Sequence, residues 1–457
     1  MAITFTPTGT NLQISSDSEF NTLLNNDDSG EYRTSQTFAR DSLPYGVDLY
    51  ARVRHIAAET GAGKWSQVVK FQVATPKYII GVCMDNSGTT KGTFYWIDAV
   101  GNKLDSFDWQ NHPTYAGIAC VTTDTDRGDP VYLTRFPKFY CKTMASGPIG
   151  SFASGKKCWW ISSTAEKGFH PHACFKRTTE KDSDGKYVVA DYCYMGRYLG
   201  HSANVGGKTC IGSAKGKTVQ ASQTKATFKT WITNRNNASV GETGYRMFDI
   251  WDLGALRMLL LIAKANSDTQ TCWGDNSAGT SYPKTGSTNA RAVFQGTHEN
   301  PVVSMEDLWR CYWYHADLIT INNGVVSLTS PMDLTTALSF GSAAQSRYRQ
   351  PTSSGWIRDV LDCPFTIGDD THDLMELFLP GLVVSAENQG TFSDYHDDVG
   401  YEPILVVGNY FLYDTTCGIF YDYIRLDRGV DSVGSRHYPL IYHSKNSIKI
   451  IYVNSFN

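Results

Sequence analysis

The sequence predicts an α+β protein in which strands predominate and one buried helix serves as scaffold. Forty glycines stand against 16 prolines in 457 residues, which is typical of a chain with many turns between short strands. The strongest strand candidates are β-branched and aromatic runs such as 404–408, whose side chains suit a pleated, half-buried sheet. Residues 245–265 are the clearest helical segment, because apolar side chains cover most of its circumference.

Length and composition restrict the class of protein. A chain of 457 residues predicts two to four domains. Hydrophobic residues make up 41% and charged residues 19%, which indicates a folded chain. A net charge of -4 without a long run of Lys or Arg argues against a nucleic-acid partner. The sequence has no signal-peptide pattern and no apolar run of about 18 residues, so we expect cytoplasmic synthesis and no membrane insertion.

Cysteine and histidine spacing gives no clear metal site. Eleven cysteines are scattered without a CxxC pair, which predicts free, buried thiols. The four cysteines between 158 and 210 match no zinc template. His170 and His172 are metal-compatible residue types, but such a pair is more often packed in a loop. We therefore expect no cofactor and no bound metal.

Residues 1–76 are predicted to form a first, β-sandwich-like module. An alternating strand covers 47–55, a second strand covers 64–73, and a glycine-rich turn joins them. The turn departs from the phosphate-loop pattern because Trp65 follows its lysine. Residues 74–77 are the predicted linker.

Residues 77–235 are predicted to be a β-rich region. The run 131–140 indicates a strand that Pro137 interrupts, and the runs 169–175 and 192–200 indicate further short strands. This region is expected to lead into the third one.

Residues 236–457 are predicted to form the C-terminal domain. Ser239 to Glu242 supplies a capping-box pattern for the helix at 245–265, whose acidic first turn and Lys264 suit the helix dipole. Asn323 and Gly324 predict a type I′ turn in a hairpin over 319–328. A second capping pattern at 304 predicts a short aromatic helix or strand, and 370–379 predicts a short helix.

The segment 393–437 contains the most suggestive pattern in the chain. Strands at 404–408 and 417–426 flank a connection, 409–416, which is rich in aromatic residues. Large rigid aromatics on a loop held by a sheet are typical of a binding surface. The alternative is that these side chains pack under a neighbouring loop.

Two resemblances follow from these segments. The runs YARVRH at 50–55 and WSQVVKFQV at 65–73 resemble the last two strands of a fibronectin type III-like module of phage tail proteins, which implies a truncated sheet completed by a partner chain. The order of segments over 77–438 resembles phage receptor-binding tail-tip proteins with a C-type lectin-like fold, a fold that formylglycine-generating enzymes share. The segments that carry this second resemblance are VYLTRFPKFY, FHPHACF, YCYMGRYLG, 245–270, 296–317 and 406–436.

The C-type lectin-like resemblance implies a receptor-binding face just before Gly434-Ser-Arg. That face consists of Tyr410, Phe411, Tyr413, Asp414, Thr415, Tyr421, Tyr423, Arg425, Asp427 and Arg428. Alternation along a strand predicts that Tyr421 and Tyr423 point outward while Phe420 and Ile424 join the core. The segment lacks the Asn- and Ser-rich composition of retroelement-diversified proteins, and Ile404 follows Glu402-Pro403 where calcium-dependent lectins have Asn.

The acidic run just before this face leaves two interpretations open. Asp394, His396, Asp397 and Asp398 either hold a cation or form a solvated loop.

The function that this resemblance implies is attachment of a phage tail fibre or tail tip to a host cell-surface receptor, either a glycan or an outer-surface protein. The expected location is the virion tail, with a homotrimer as the expected assembly and other tail proteins bound by the N-terminal module. One alternative is a structural tail or baseplate component. A polysaccharide-degrading enzyme would need paired carboxylates, and a formylglycine-type enzyme a reactive cysteine pair, for which Cys363 and Cys417 lack a motif. We expect no catalytic residues.

Overall fold

Contacts within the chain divide it into two compact units, Met1–Lys77 with Asp98–Asn102 and Tyr78–Ile97 with Lys103–Asn457. The computed structural model describes residues 8–27, 31–32, 43, 47–57, 61–73, 78–86, 91–123, 130–146, 156–237, 244–273, 285, 292–294, 305–306, 308, 313–398, 404–407, 419–425, 433–434, 437–439 and 451–452. The chain is strand-rich with few helices, as its composition predicts. No helix in these ranges combines the length and the apolar character needed to cross a membrane.

The first unit is an antiparallel sheet of five strands. Its strands are β1 (Gly9–Ser15), β2 (Leu23–Asp27), β3 (Leu49–Ala57), β4 (Gly61–Ala62) and β5 (Val69–Phe71). The order is β2-β1-β3-β4, and β5 also pairs with β3. The two strands predicted in this region are thus hydrogen-bonded neighbours, with Leu49 opposite Phe71. The Arg52 guanidinium lies between the rings of Phe20 and Trp65, at 4.0 and 4.5 Å from their centroids.

The second unit contains the remaining strands and all four α-helices of the described ranges. The strands before the long helix are β6 (Ile79–Asp85), β7 (Thr93–Ile97), β8 (Ala119–Thr122), β9 (Tyr132–Pro137), β10 (Tyr140–Ser146), β11 (Lys156–Ser162), β12 (His170–Pro171), β13 (Tyr192–Gly196), β14 (His201–Val205), β15 (Lys208–Gly212) and β16 (Tyr245–Met247). The helices are α1 (Pro113–Ala116), α2 (Lys225–Asn236), α3 (Ile250–Lys264) and α4 (Thr269–Trp273). The interruption predicted at Pro137 is confirmed, because β9 ends there and β10 begins three residues later.

The strands after the long helix complete the unit. They are β17 (Ala292–Val293), β18 (Met305–Glu306), β19 (Trp313–His315), β20 (Ile319–Asn322), β21 (Val325–Leu328), β22 (Gly355–Val360), β23 (Pro364–Ile367), β24 (Asp370–Asp373), β25 (Pro380–Val384), β26 (Tyr395–Asp398), β27 (Ile404–Val407), β28 (Asp422–Arg425), β29 (Val433–Gly434), β30 (His437–Pro439) and β31 (Ile451–Tyr452). The largest sheet has seven strands in the order β25-β22-β26-β28-β27-β19-β29. It is mixed, since β26 runs parallel to β28 while β27 runs antiparallel to it.

The helix α3 lies at the centre of the hydrophobic core. Every residue from Ile250 to Ala263 is buried, which confirms the prediction that this helix is scaffold. One core cluster includes α3 together with side chains from Ile80 to Phe420, so the predicted regions 77–235 and 236–457 share a core. Burial of this many large apolar side chains is the main favourable term in the folding of the unit.

The start of α3 differs from the sequence prediction. The helix begins at Ile250 rather than at 245, because Tyr245–Met247 pairs as β16 with β30. Asp249 and Asp252 form the capping box, in place of Ser239 and Glu242, which lie outside the described residues. Both carboxylates are fully buried and bind two arginines: Arg246 Nη1 is 2.6 Å from an oxygen of each, and Arg177 Nη2 is 2.7 Å from Asp252.

Other local predictions had mixed outcomes. The hairpin β20–β21 has the predicted turn, with Asn323 and Gly324 both at positive φ. The helix predicted at 370–379 is wrong in its first half, where β24 pairs with β23, and a 3₁₀-helix covers only Leu374–Leu377. The capping pattern at 304 precedes β18, so the strand alternative applies there.

Candidate functional site

The hairpin β27–β28 forms the base of the predicted receptor-binding face. Its strands pair antiparallel from Ile404 opposite Arg425 to Val407 opposite Asp422. The predicted strand at 417–426 is therefore shorter than expected, and it starts at Asp422. Because β27 and β28 lie inside the seven-stranded sheet, both ends of the connection between them are fixed by neighbouring strands.

The structure describes three of the ten predicted contact residues. Seven of them lie outside the described residues: Tyr410, Phe411, Tyr413, Asp414, Thr415, Asp427 and Arg428. Tyr423 and Arg425 lie on β28, and only the backbone of these two residues is described. Their role in binding stays a prediction.

Tyr421 corrects the exposure that strand alternation predicted. Its side chain is buried, with 5% exposed, and Phe420 is buried as expected. The alternation rule requires extended backbone on both sides of a residue. Tyr421 precedes the first residue of β28 and follows a turn at Ile419 and Phe420, so consecutive side chains there enter the core.

The base of the hairpin is held by three buried polar contacts. Asp394 Oδ2 accepts a hydrogen bond of 2.8 Å from the Phe420 amide. Arg257 in α3 donates through Nε to the Ile419 carbonyl at 2.9 Å and pairs through Nη2 with Asp422. Both members of that ion pair are fully buried. The start of β28 is thereby tied to the central helix.

The acidic run 394–398 is divided among separate partners. Asp394 binds the Phe420 amide, and His396 Nε2 lies 3.0 Å from the Pro351 carbonyl. Asp397 accepts from Ser354 Oγ at 2.5 Å. Among the described residues, these groups do not form a set whose ligand atoms converge on one point.

A different group of side chains does converge. Within the part of the chain that the structure describes, the thiol of Cys141, the imidazole of His170 and the carboxylate of Glu376 place their donor atoms within 4.8 Å of one another. His170 Nε2 is 2.9 Å from Glu376 Oε1 and 3.4 Å from Cys141 Sγ. The other carboxylate oxygen, Oε2, is 2.9 Å from His372 Nδ1. We call Cys141, His170, His372 and Glu376 the cysteine–histidine–glutamate cluster.

The fold brings this cluster together from four separate elements, one of which is β24 with His372. Cys141 on β10 is the register partner of His170 on β12, so the two side chains are neighbours in one sheet. Glu376 lies in the 3₁₀-helix Leu374–Leu377, whose Met375 carbonyl accepts from Trp159 Nε1 at 2.9 Å. Gly254 of α3 allows this segment to approach closely, because a Cβ there would lie 2.6 Å from the Glu376 carbonyl oxygen.

Burial and charge together set the protonation of the cluster. Burial opposes ionisation of Glu376, but the two histidines outweigh it and hold the pKa of the carboxyl well below its usual value. Burial also opposes protonation of His170, yet the charge of Glu376 raises the net pKa of this imidazole. Burial raises the pKa of the Cys141 thiol well above its usual value, and Glu376 adds to the effect. The Cys141 thiol therefore favours its neutral form and the Glu376 carboxyl its ionised form, while His170 binds a proton more readily than a free histidine does.

Three of these four residues were not predicted from the sequence. His170 was considered together with His172 rather than with Cys141, which is 29 positions away, or Glu376, which is 206 positions away. The only local signal was the spacing of His372 and Glu376 by four residues. Nine cysteines lie among the described residues, and all nine are free thiols.

The sequence matches no model of a known protein family, and a search of curated proteins finds no significant match.

Proposed function

We propose that this chain is a phage tail-fibre or tail-tip protein that binds a host cell-surface receptor, with the virion tail as its location. The proposal rests on the sequence resemblance over 77–438. The structural observation that supports it best is the antiparallel pairing of β27 with β28 inside the seven-stranded sheet. A connection whose ends are held by a rigid sheet is the usual setting of a binding loop.

The way in which the hairpin base is fixed supports the same proposal. Arg257 and Asp394 hold Ile419, Phe420 and Asp422 at the end of the connection. A loop with anchored ends loses less conformational entropy on binding than a loop with free ends, so more of its contact energy appears as affinity. The proposed face keeps the residues named above except Tyr421, which is buried.

The finer architecture belongs to the same proposal. The second unit is proposed to be C-type lectin-like, and its large mixed sheet and its buried helix α3 are compatible with that fold. The first unit is proposed to be the fibronectin type III-like module that docks on other tail proteins. A homotrimer would present three faces at once and raise avidity without new contacts.

The test is adsorption of the purified full-length protein to susceptible cells. The variant Tyr410→Ala/Tyr413→Ala is compared with wild type and with Tyr32→Ala, which removes a half-exposed tyrosine from the first unit. We expect the double variant to lose at least about tenfold in apparent affinity, since buried aromatic anchors carry most interface energy. We expect Tyr32→Ala to bind like wild type.

Two outcomes would overturn parts of this proposal. Equal binding by the double variant and by wild type would refute the assignment of the loop. Failure of the wild type to bind, as its native oligomer, to cells that the phage infects would favour a structural tail component instead.

A further inference from the structure

We propose that Cys141, His170 and Glu376 bind one zinc-class divalent metal ion through Sγ, Nε2 and Oε1. The inference is independent of receptor binding, and adsorption is not its readout. It differs from the prediction that the protein binds no metal, because that prediction was based only on the spacing of cysteines and histidines along the sequence.

The distances within the cluster agree with coordination geometry. Tetrahedral zinc has bonds of about 2.3 Å to sulfur and about 2.0–2.1 Å to nitrogen and oxygen, so its ligand atoms lie about 3.3–3.6 Å apart. The distance from Cys141 Sγ to His170 Nε2 is 3.4 Å, and that from His170 Nε2 to Glu376 Oε1 is 2.9 Å. A metal ion would lengthen the second separation by a few tenths of an ångström, which rotation of the glutamate side chain accommodates.

Groups behind the ligands already orient the carboxylate. His372 Nδ1 lies 2.9 Å from Glu376 Oε2, and the Asp373 amide donates to Oε1 at 3.1 Å. Ligating carboxylates in metalloproteins are held by such outer hydrogen bonds. If Nδ1 of His372 donates to Glu376, its Nε2 carries a lone pair, and that buried atom has no hydrogen-bond partner among the described residues. The carboxylate is thus held in place by groups other than the proposed ligands.

The donor set determines the class of metal. One thiolate, one imidazole and one carboxylate suit Zn²⁺ and the neighbouring first-row ions, whereas Ca²⁺ and Mg²⁺ require oxygen ligands. Three protein ligands leave a fourth position for water or another small ligand. Cys141 and Glu376 are fully buried and the His170 side chain is 13% exposed, so access is narrow.

Binding of the metal displaces protons from the cluster. The Cys141 thiol loses its proton to form the metal–sulfur bond, and a protonated His170 releases the Nε2 proton that faces Glu376. The ion then joins β10, β12 and the 3₁₀-helix Leu374–Leu377 in place of the hydrogen bonds that now join them. We therefore expect the metal to stabilise the second unit.

The experiment uses the full-length protein, purified with a non-thiol reductant and without chelators. Metal content is measured by mass spectrometry of the elements, and the apo protein is titrated with Zn²⁺ and then with Co²⁺. We expect about one equivalent of metal, a higher Tm with Zn²⁺, and a near-ultraviolet thiolate-to-cobalt band.

Variants then test which side chains are the ligands. Cys141→Ser should abolish the cobalt–thiolate band, whereas Cys363→Ser, which changes another buried thiol, should retain it. His372→Gln should weaken metal affinity 10- to 100-fold without removing the band, because His372 only orients Glu376.

The wild type alone can refute the proposal, even if Cys141→Ser does not fold. Folded wild type that contains no metal, shows no cobalt band and gains no Tm with Zn²⁺ would overturn it. A band that persists in folded Cys141→Ser would overturn the assigned ligand set.

Discussion

The ion pair between Arg257 and Asp422 gives the sharpest stability prediction, because it links α3 to the first residue of β28. Both side chains are fully buried. Arg257 also donates to the Ile419 carbonyl at 2.9 Å and to the Leu377 carbonyl at 3.1 Å. Removal of one partner leaves a buried charge without a counter-ion, which typically costs about 3–5 kcal/mol.

The single variants Arg257→Met and Asp422→Leu should therefore each lower the free energy of unfolding by about 3–5 kcal/mol. The double variant has no buried charge to leave unpaired. It still leaves the two carbonyls without their donor, so we expect it to remain destabilised, but by about 2–4 kcal/mol less than the sum of the singles.

Unfolding in urea, followed by tryptophan fluorescence, measures these differences, and the exposed pair Lys138–Asp191 is the control. The control pair is 2.8 Å long, but its side chains are 25% and 64% exposed, so Lys138→Met should cost less than about 1 kcal/mol. Effects of Arg257→Met and Asp422→Leu that add within about 0.5 kcal/mol would refute the reasoning, because independent sites behave in that way. Tyr410-dependent adsorption should also fall in the folded single variants, since the hairpin base loses its anchor.

Two further predictions concern pH and backbone strain. Burial lowers the pKa of His112 to about 4, although its hydrogen bond to the Tyr78 carbonyl opposes the shift. As pH falls, the unfolded chain protonates His112 before the folded chain does, so the free energy of unfolding should fall between about pH 6.5 and pH 4. The variant His112→Asn retains an N-cap and should reduce this loss of stability by up to about 3 kcal/mol. Urea unfolding at several pH values measures the difference, and parallel stability curves for the variant and wild type would contradict the prediction. Gly324 has φ +76, and a Cβ there would lie 2.5 Å from the Gln350 carbonyl oxygen, whereas Gly341 has φ +57 and open space. In thermal unfolding, Gly341→Ala should lower the free energy of unfolding by about 1–2 kcal/mol, and Gly324→Ala should lower it clearly more. Equal losses of stability would show that the contact between the added Cβ and the Gln350 carbonyl oxygen relaxes.

Local features were predictable where a few consecutive residues determine them. Asn323 and Gly324 determine the turn of β20–β21 because both residues tolerate positive φ, and the structure has that turn. The burial of α3 was predictable too, because apolar residues that are consecutive in the sequence cover most of its circumference. The start of the helix was not predictable from 245–250 alone, because Tyr245–Met247 extends to pair with β30, nearly 200 positions later.

The candidate site shows the limit of sequence reasoning more clearly. Alternation along a strand predicted an exposed Tyr421, but its side chain is buried. Tyr421 directly follows a turn and precedes β28, and the alternation rule does not apply outside extended backbone. The proposed receptor-binding residues, the division into three regions and the phage tail assignment stay predictions.

By itself, the sequence determined the strand-rich character of the chain, the buried helix and the hairpin turn. Each of these features depends on residues that are close together in the sequence. Only the tertiary structure decided which side chains meet. Cys141 and His170 become neighbours through strand pairing, and Glu376 joins them because Gly254 lets a distant segment approach α3. The physical reason is that metal ligation and ion pairing depend on distances of a few ångströms between atoms, and separation along the chain does not encode those distances.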